Sequence, residues 1–318
     1  MLEKHFLSCN IPAMELRVLN YFLAVAREGS ITRAANTLHL TQPTLTRQIH
    51  ELEEELGQKL LVRGKYRMLL TPEGVVLRKR AEEIFDLVAK TEAEFRAIGD
   101  SVSGDVYLGC GESDVMKYIA GVMQTVREQY PQIRFHIYSG NAADVMERLD
   151  SGFLDFGILI QPVDISRYHH MELPEKDRWG VIMRTDCALA RKKYVVLSDL
   201  YGLPLIHSRQ AIGRHSVPND FLRWFGNEFE KMNTVATFNL VYNAAVMVRA
   251  GLGYAVSLDK LVSEDGELCF RPLMPRLESS LDMVWQKERV FSAAAGIFLE
   301  KVREKLETRE ESGEDAEP

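Results

Sequence analysis

The sequence lacks any clustering of cysteine. Its four cysteines, Cys9, Cys110, Cys187 and Cys269, are widely separated, and no CxxC or Cys/His cluster is present. A zinc site needs closely spaced ligands and a disulfide framework needs a compact set of cysteines, so neither is expected. We therefore predict a cytoplasmic protein with reduced thiols that needs no metal and no cofactor.

Long apolar segments are also missing. No run approaches the roughly 18 apolar residues that span a bilayer, and the N-terminus lacks a charged segment followed by an apolar core. We expect no membrane contact and no signal peptide. Residues 1–13 show no periodicity, and two interpretations stay open for them: translation starts at Met14, or these residues form a flexible extension.

The signatures of common enzyme classes are absent as well. The sequence holds no nucleophile elbow, no phosphate loop and no metal-ligand spacing. The segment Gly109-Cys110-Gly111-Glu112 resembles part of a glycine-rich phosphate loop only weakly. A small-molecule enzyme is thus an alternative that the sequence does not favour.

Charge is distributed unevenly along the chain. The formal net charge is −7, yet residues 31–80 carry nine Lys and Arg against five Asp and Glu. The segment 307–318 is acidic and has little apolar surface to bury, so we predict that it is disordered. A locally basic surface near the N-terminus is able to bind phosphates although the whole chain is acidic.

Three short helices and a small hairpin are predicted near the N-terminus. Apolar residues recur there at helical spacing, Ser30 and Thr41 are suited to cap the second and third helices, and Gly29 and Gly57 end the first and third. A basic loop separates the two extended segments. The predicted elements are helices over 15–27, 31–38 and 41–57 and extended segments over 59–62 and 68–71.

The third helix has one apolar and one polar face. Leu45, Ile49, Leu52 and Leu56 recur at spacings of 4, 3 and 4 and form a buried stripe. Arg is able to grip guanine and Gln adenine in the major groove, so the opposite face is suited to base contacts. The alternative is the solvated face of an ordinary helix, but the helix-turn-helix spacing and the basic loop favour DNA. The polar face and its leading end carry Thr41, Gln42, Pro43, Thr46, Arg47 and His50.

A longer helix follows the hairpin and carries a heptad pattern. Its apolar positions recur at spacings of 4, 3, 4, 3, 4 and 3. Such a seam pairs with another helix, and we predict a dimer through it. Residues 99–104 break the pattern and are interpreted as a hinge. The seam consists of Leu77, Ala81, Ile84, Val88, Thr91, Phe95 and Ile98.

Strands and helices alternate in the remaining two-thirds of the chain. This order predicts an α/β architecture with a largely parallel sheet. A second such unit is predicted over about 164–269, with helices near 219–231 and 241–250, and a last helix over 291–306 closes the chain. In the first unit, strands are predicted over 106–109, 134–139, 156–160 and 179–183 and helices over 115–129 and 142–151.

The N-terminal motifs closely resemble those of LysR-type transcriptional regulators. The resemblance rests on SITRAANTLHLTQPTLTRQI from Ser30 to Ile49 and on Leu70-Thr71-Pro72-Glu73-Gly74 after the basic loop. Gly251-Leu252-Gly253 is similar to the turn before the last strand of that family's second subdomain. One departure is Leu61, where the family usually has Phe. We expect the smaller side chain to weaken the packing under the wing.

The resemblance implies a domain order and a set of partners. It implies a winged helix-turn-helix over 14–74, a dimerising linker helix over 75–100 and an effector-binding domain over 101–306. That domain would comprise two α/β subdomains like those of periplasmic binding proteins, and an acidic tail would cover 307–318. The implied partners are double-stranded promoter DNA, a small-molecule effector and further copies of the chain, as a homodimer or homotetramer. RNA polymerase is a further candidate partner of such a regulator.

The resemblance also implies individual DNA contacts. Gln42, Pro43, Thr46 and Arg47 would contact bases or phosphates, with Thr41 and His50 beside them on the same exposed face. Contacts from the second helix and from the wing complete the expected set, namely Thr32, Arg33, Arg63, Lys65 and Arg67.

The effector cleft is expected beyond the carboxyl ends of the strands, at the start of the following helices. Ser113, Asp114 and Asn141 have an alternative role as caps of their own helices. Many family members bind a small organic anion there, but Glu112 and Asp114 would repel one, so an uncharged or amine-bearing effector is equally expected. The cationic side chain of Arg209 is compatible with an anionic effector, so that alternative stays open. The candidate effector-binding residues are Gly111, Glu112, Ser113, Asn141, Ser208, Arg209 and Asn239.

A redox regulator of the same family is a further alternative. Cys110 is predicted at a helix N-terminus, where the pKa of a thiol is lowered and its reactivity raised. The competing interpretation is a small buried residue at the end of a strand. No second cysteine lies near it in the sequence to form a disulfide.

Overall fold

The computed structural model describes residues 14–64, 67–96, 102–213, 217–263 and 266–312. Several sequence predictions therefore lie outside the described residues. They are those for residues 1–13, Lys65, the side chain of Phe95, Ile98, most of the proposed hinge, and residues 313–318 of the predicted tail. The chain divides into two compact units after Glu92.

The N-terminal unit is three helices, a hairpin and the start of a long helix. Its elements are α1 (Leu16–Glu28), α2 (Ile31–Thr37), α3 (Gln42–Leu56), β1 (Leu61–Arg63), β2 (Met68–Leu70) and α4 (Pro72–Arg96). Ser30 and Thr41 cap α2 and α3, and Gly29 and Gly57 end α1 and α3 with positive φ, as predicted. Phe22, Leu45 and Leu52 are among the residues that form its core.

Glu53, a buried residue of α3, connects this helix to the start of the hairpin. One carboxylate oxygen accepts hydrogen bonds from the backbone N–H groups of Leu60 (2.9 Å) and Leu61 (3.2 Å), and the other lies 2.6 Å from the Lys59 ammonium. Burial raises the pKa of Glu53, but these hydrogen bonds outweigh it and hold the pKa below its usual value. The buried carboxylate thus positions the wing relative to α3, while Leu61 contributes to the same core.

The Thr71-Pro72-Glu73-Gly74 motif forms the start of α4. The Thr71 hydroxyl donates to the Lys59 carbonyl (2.6 Å) and accepts from the Gly74 N–H (2.9 Å). A Cβ on Gly74 would lie 2.1 Å from the Leu60 carbonyl oxygen, so only glycine allows this approach. The first turn of the long helix is therefore packed against the residues that precede the hairpin.

The second unit contains two α/β subdomains. The first has the sheet order β4-β3-β5-β13-β6, with α5, α6 and α9. The second has the order β11-β7-β10-β8-β9, with β12 paired to β7 and with α7 and α8. The elements of the second unit, in chain order, are β3 (Gly104–Cys110), α5 (Met116–Gln129), β4 (Ile133–Ser139), α6 (Ala142–Asp150), β5 (Phe156–Ile160), β6 (Tyr168–Glu172), β7 (Asp177–Arg184), β8 (Leu205–Ser208), α7 (Asp220–Phe225), β9 (Thr234–Phe238), α8 (Val241–Arg249), β10 (Tyr254–Leu258), β11 (Leu268–Pro272), β12 (Glu278–Ser279), β13 (Leu281–Gln286) and α9 (Ala293–Ser312).

Both sheets are mixed rather than largely parallel. In the first, β3 is parallel to β4 and β5, but β13 is antiparallel to β5 and β6. In the second, β7 is antiparallel to β10 and β11. The reason is that the chain passes from the first subdomain to the second between β6 and β7 and returns between β12 and β13, which reverses the returning strand. The Gly251-Leu252-Gly253 turn precedes β10. Because β11 and β12 follow it, β10 is not the last strand of its subdomain.

Two helix boundaries also differ from prediction. The helix expected near 219–231 is interrupted at Gly226, whose φ is +57°, and continues as a 3-10 helix over Gly226–Lys231. The last helix reaches Ser312, so residues 307–312 are helical rather than disordered. Thr308 bonds back to the Glu304 carbonyl (2.7 Å) and Arg309 lies 3.7 Å from Glu175, contacts that stabilise these extra turns.

Candidate functional site

The α3 face predicted to contact DNA is exposed along its length. Leu45, Ile49 and Leu52 turn into the core, and Gln42 and Pro43 occupy the first turn. The Thr46 hydroxyl donates to the Gln42 carbonyl (2.9 Å), so this short side chain stays close to the helix surface. The exposed residues are Thr41, Gln42, Pro43, Thr46, Arg47 and His50.

Arg47 and His50 reach furthest from the exposed face. The Arg47 side chain is 72% exposed and its Nε lies 3.6 Å from the Glu51 carboxylate, one turn later. His50 Nδ1 lies 3.4 Å from Glu54 in the same way. Exposed i,i+4 pairs of this kind are weak, so both side chains are able to leave their glutamate partners and contact DNA.

The flanking predicted contacts lie on α2 and on the hairpin. Thr32, Arg33, Arg63 and Arg67 are all exposed. Arg33 donates to the backbone carbonyl of Glu28 at the end of α1, so a phosphate contact by Arg33 would need this guanidinium to turn or to share its donors.

The predicted dimerisation seam on α4 is only partly exposed in the single chain. Ala81 is fully buried and so is closed to a second helix, and Leu77 is half-buried where it packs against the N-terminal core. Ile84 and Val88 are half-buried, and Thr91 is exposed. The structure thus shifts the available part of the seam toward the C-terminal half of α4.

A cavity lies between the two subdomains of the second unit. Its volume is about 60 Å³. Trp179, Phe221 and Phe238 supply an apolar wall. Five of the seven predicted effector residues line it: Gly111, Glu112, Asn141, Ser208 and Asn239.

Arg209 does not line this cavity, although the adjacent residues do. Residues 209 and 210 form a turn after β8, and this turn places Ser208 and Gln210 at the cavity while Arg209 borders a groove beside α6. Among the described residues that line the cavity, none is Lys, Arg or His. Arg209, the cation that was compatible with an anionic effector, is therefore absent from the described lining.

Ser113 lies at the connection between the subdomains rather than in the cavity. Its hydroxyl accepts from the Val115 N–H (3.0 Å) and also bonds to Asp177 at the start of β7. The start of α5 has no side-chain cap, so the capping alternative is wrong for Ser113. Asn141 caps α6 through the Asp144 N–H (3.0 Å) and lines the cavity as well. Capping and cleft contact thus coincide for Asn141 but not for Ser113.

Asp177 is a buried carboxyl that sequence reasoning missed. It is 4% exposed, immediately follows the crossover from β6, and one of its oxygens has no partner among the described residues. Burial raises its pKa from 3.8 to about 6, although hydrogen bonds from Ser113 and the Asp114 backbone act in the opposite direction. Because the folded pKa lies above the unfolded one, stability should fall as the pH rises from about 4 to about 6.

We expect Asp177→Asn to stabilise the protein at pH 7.5 by on the order of 1–2 kcal/mol, since the amide keeps an acceptor for Ser113 without a buried charge. Urea unfolding at pH 7.5 and pH 4 measures this, and the gain should vanish at pH 4. The matched control is Asp220→Asn at an exposed position. A loss of stability at pH 7.5 would show that the hydrogen bonds of the ionised carboxylate dominate.

Cys110 lies at the end of β3 and is buried, 4% exposed. Burial raises the pKa of its thiol, and the nearby negative charge of Glu112 raises it further. A reactive thiol needs the opposite shift, so the local environment disfavours the redox alternative.

Gln210 is the principal cleft residue that the sequence prediction omitted. Its Oε1 accepts from the Ala142 N–H at the start of α6 (3.1 Å), and its Nε2 donates to the Ile160 carbonyl (3.2 Å). Both partners belong to the opposite subdomain. No strand period marks it in the sequence, because β8 ends at Ser208 and residues 209 and 210 form a turn.

Comparison with known proteins agrees with this arrangement. Residues 16–75 match the family described as bacterial regulatory helix-turn-helix protein, lysR family, and residues 99–307 match the LysR substrate binding domain. The chain is 28% identical over 295 residues to the Hca operon transcriptional activator HcaR of Escherichia coli, which covers 92% of this chain and 98% of that protein. It is 30% identical over 221 residues to the HTH-type transcriptional regulator BsdA of Bacillus subtilis, covering 69% and 74%.

A solved structure shows the same fold over nearly the whole chain. CbnR, crystallised at full length with its target DNA, superimposes with a TM-score of 0.71 at 20% identity and covers 92% of this chain and 99% of that one. No helix within the described residues is long and apolar enough to cross a membrane.

A winged helix-turn-helix joined to a two-subdomain ligand-binding domain defines a DNA-binding transcriptional regulator with an effector-binding domain. The matches over both parts show that the chain belongs to the LysR family. The family consists of regulators, which sets aside the enzyme alternative.

Proposed function

We propose that this regulator works in the cytoplasm and binds promoter DNA through α3 and the hairpin, as a dimer joined by the C-terminal half of α4. The exposed α3 face and the exposed Arg63 and Arg67 support the DNA contacts. Tetramers through the effector domains and contact with RNA polymerase stay predictions from the family resemblance.

We infer that the effector is a small uncharged or amine-bearing molecule bound between the two subdomains. One observation carries this proposal: the cavity is lined by both subdomains, and Glu112 is the charged side chain among its described lining residues. Trp179, Phe221 and Phe238 would pack against an apolar body, and Asn141, Ser208 and Asn239 would bond to its polar groups. An effector acts only if it binds one arrangement of the subdomains better than another.

A thermal-shift screen of the full chain with small neutral and amine-bearing metabolites would find the effector. We expect Ser208→Ala and Asn239→Ala each to weaken its binding by about tenfold, the loss expected for one hydrogen bond, with unchanged DNA affinity when no effector is added. Ser198→Ala, at an exposed position of the same subdomain, is the control. Effector affinity unaffected in both cleft variants would place the site elsewhere.

Effector and DNA binding must also be coupled reciprocally. If the effector changes operator affinity, operator DNA must change effector affinity by the same factor. Titrating the effector with and without a saturating operator duplex measures this factor, and unequal factors would show that binding is not at equilibrium or involves a further species.

A further inference from the structure

Glu112 bridges the two subdomains. It follows β3 in the first subdomain, and its carboxylate accepts a hydrogen bond from the backbone N–H of Val241, the first residue of α8 in the second. Leu240, the residue before α8, supplies no side-chain cap. The free N–H groups of a helix start favour a negative charge, so Glu112 gives α8 the anion that its own sequence does not provide.

A reciprocal contact crosses the cleft in the other direction. Gln210 of the second subdomain accepts from the Ala142 N–H at the start of α6 in the first (3.1 Å). Each subdomain thus contributes one side chain to a helix start of the other. The Lys260 ammonium, 3.3 Å from Asp114, adds an ion pair between the same two subdomains.

Glu112 combines a position in the cavity lining with a negative charge. It lines the cavity while it is bound to α8, and the described lining residues include no cationic side chain. An incoming carboxylate would meet a like charge at the start of α8.

We propose that Glu112 is the specificity-determining residue of the cleft: it acts as a tethered carboxylate that occupies the start of α8, holds the subdomains together and excludes anionic effectors. This proposal rests on the proposed effector cleft and names the rule by which that cleft selects its ligand. Removing the tethered charge should open the start of α8 to a free carboxylate.

The test compares the full-length wild type with Glu112→Ala and Glu112→Gln. The first measurement is hydrogen exchange at the start of α8, without ligand, where we expect about tenfold faster exchange in Glu112→Ala. The second is benzoate binding, measured by thermal shift against chloride at constant ionic strength. We expect benzoate to bind Glu112→Ala at least about tenfold more tightly than wild type.

Glu112→Gln preserves shape and folding and removes the charge. Its amide oxygen still competes for the Val241 N–H, so we expect a smaller gain in benzoate affinity than with Ala. Glu300→Ala, which removes an exposed carboxylate from α9, should change neither measurement.

Two results would overturn the proposal: unchanged exchange at α8 in Glu112→Ala, or no gain of benzoate binding over wild type in either variant. Both readouts are independent of the natural effector. Failure of the proposed function would instead appear as effector affinity that ignores Ser208→Ala and Asn239→Ala.

Discussion

Replacing Arg47 by Ala should remove much of the preference for the operator sequence. The guanidinium projects from the exposed face of α3 and forms a weak pair with Glu51. A bidentate contact to guanine would be worth about 1–3 kcal/mol of discrimination. We expect a loss of that size on the specific duplex and a much smaller loss on random DNA, measured by fluorescence anisotropy at fixed salt.

Arg63→Ala is the informative comparison, because this exposed side chain lies on the hairpin rather than on α3. A phosphate contact carries no sequence information, so binding to both duplexes should weaken alike and the salt slope should flatten by about one unit. Arg17→Ala on α1, also exposed, controls for general loss of positive charge. Equal losses on both duplexes for Arg47→Ala would refute a base-reading role.

Replacing Ile84 and Val88 together by Glu should convert the assembly to smaller species. Both residues lie on the heptad seam of α4 and are only half-buried within a single chain. Pairing two helices through this seam would bury both apolar side chains, and four carboxylates at such an interface would oppose association strongly. Light scattering at micromolar concentration should show a lower mass than wild type.

The control for this variant is Lys79→Glu, which changes an exposed side chain on another face of α4. It alters charge without touching the seam, so the mass should stay that of wild type. If the Ile84/Val88 double variant keeps its mass while Lys79→Glu loses it, the dimer forms through a different face of the helix.

Much of the DNA-binding half was predictable because its signals are local. The caps at Ser30 and Thr41 and the glycine ends at Gly29 and Gly57 act within one helical turn. The face of α3 follows from helical spacing alone. Glu53 was missed because its partners Leu60 and Leu61 are contacted only when the hairpin folds back onto α3.

The cleft was predictable in place but not in detail. The prediction from strand ends and helix starts includes five residues that line the cavity, namely Gly111, Glu112, Asn141, Ser208 and Asn239. The turn after β8 decided the remainder, because it places Gln210 but not Arg209 at the cavity. Ser113 belongs to the crossover because its hydroxyl reaches Asp177.

The sequence by itself determined the family, the three-helix DNA-binding unit and the exposed face of α3, since these depend on contacts between near neighbours in the chain. Only the tertiary structure decided that Glu112 meets Val241, 129 positions away, and that Gln210 meets Ala142, 68 positions away. Such pairs depend on the strand order of two mixed sheets and on the two crossovers between them. No local spacing records that order, because it results from how the subdomains bury their sheets as a whole.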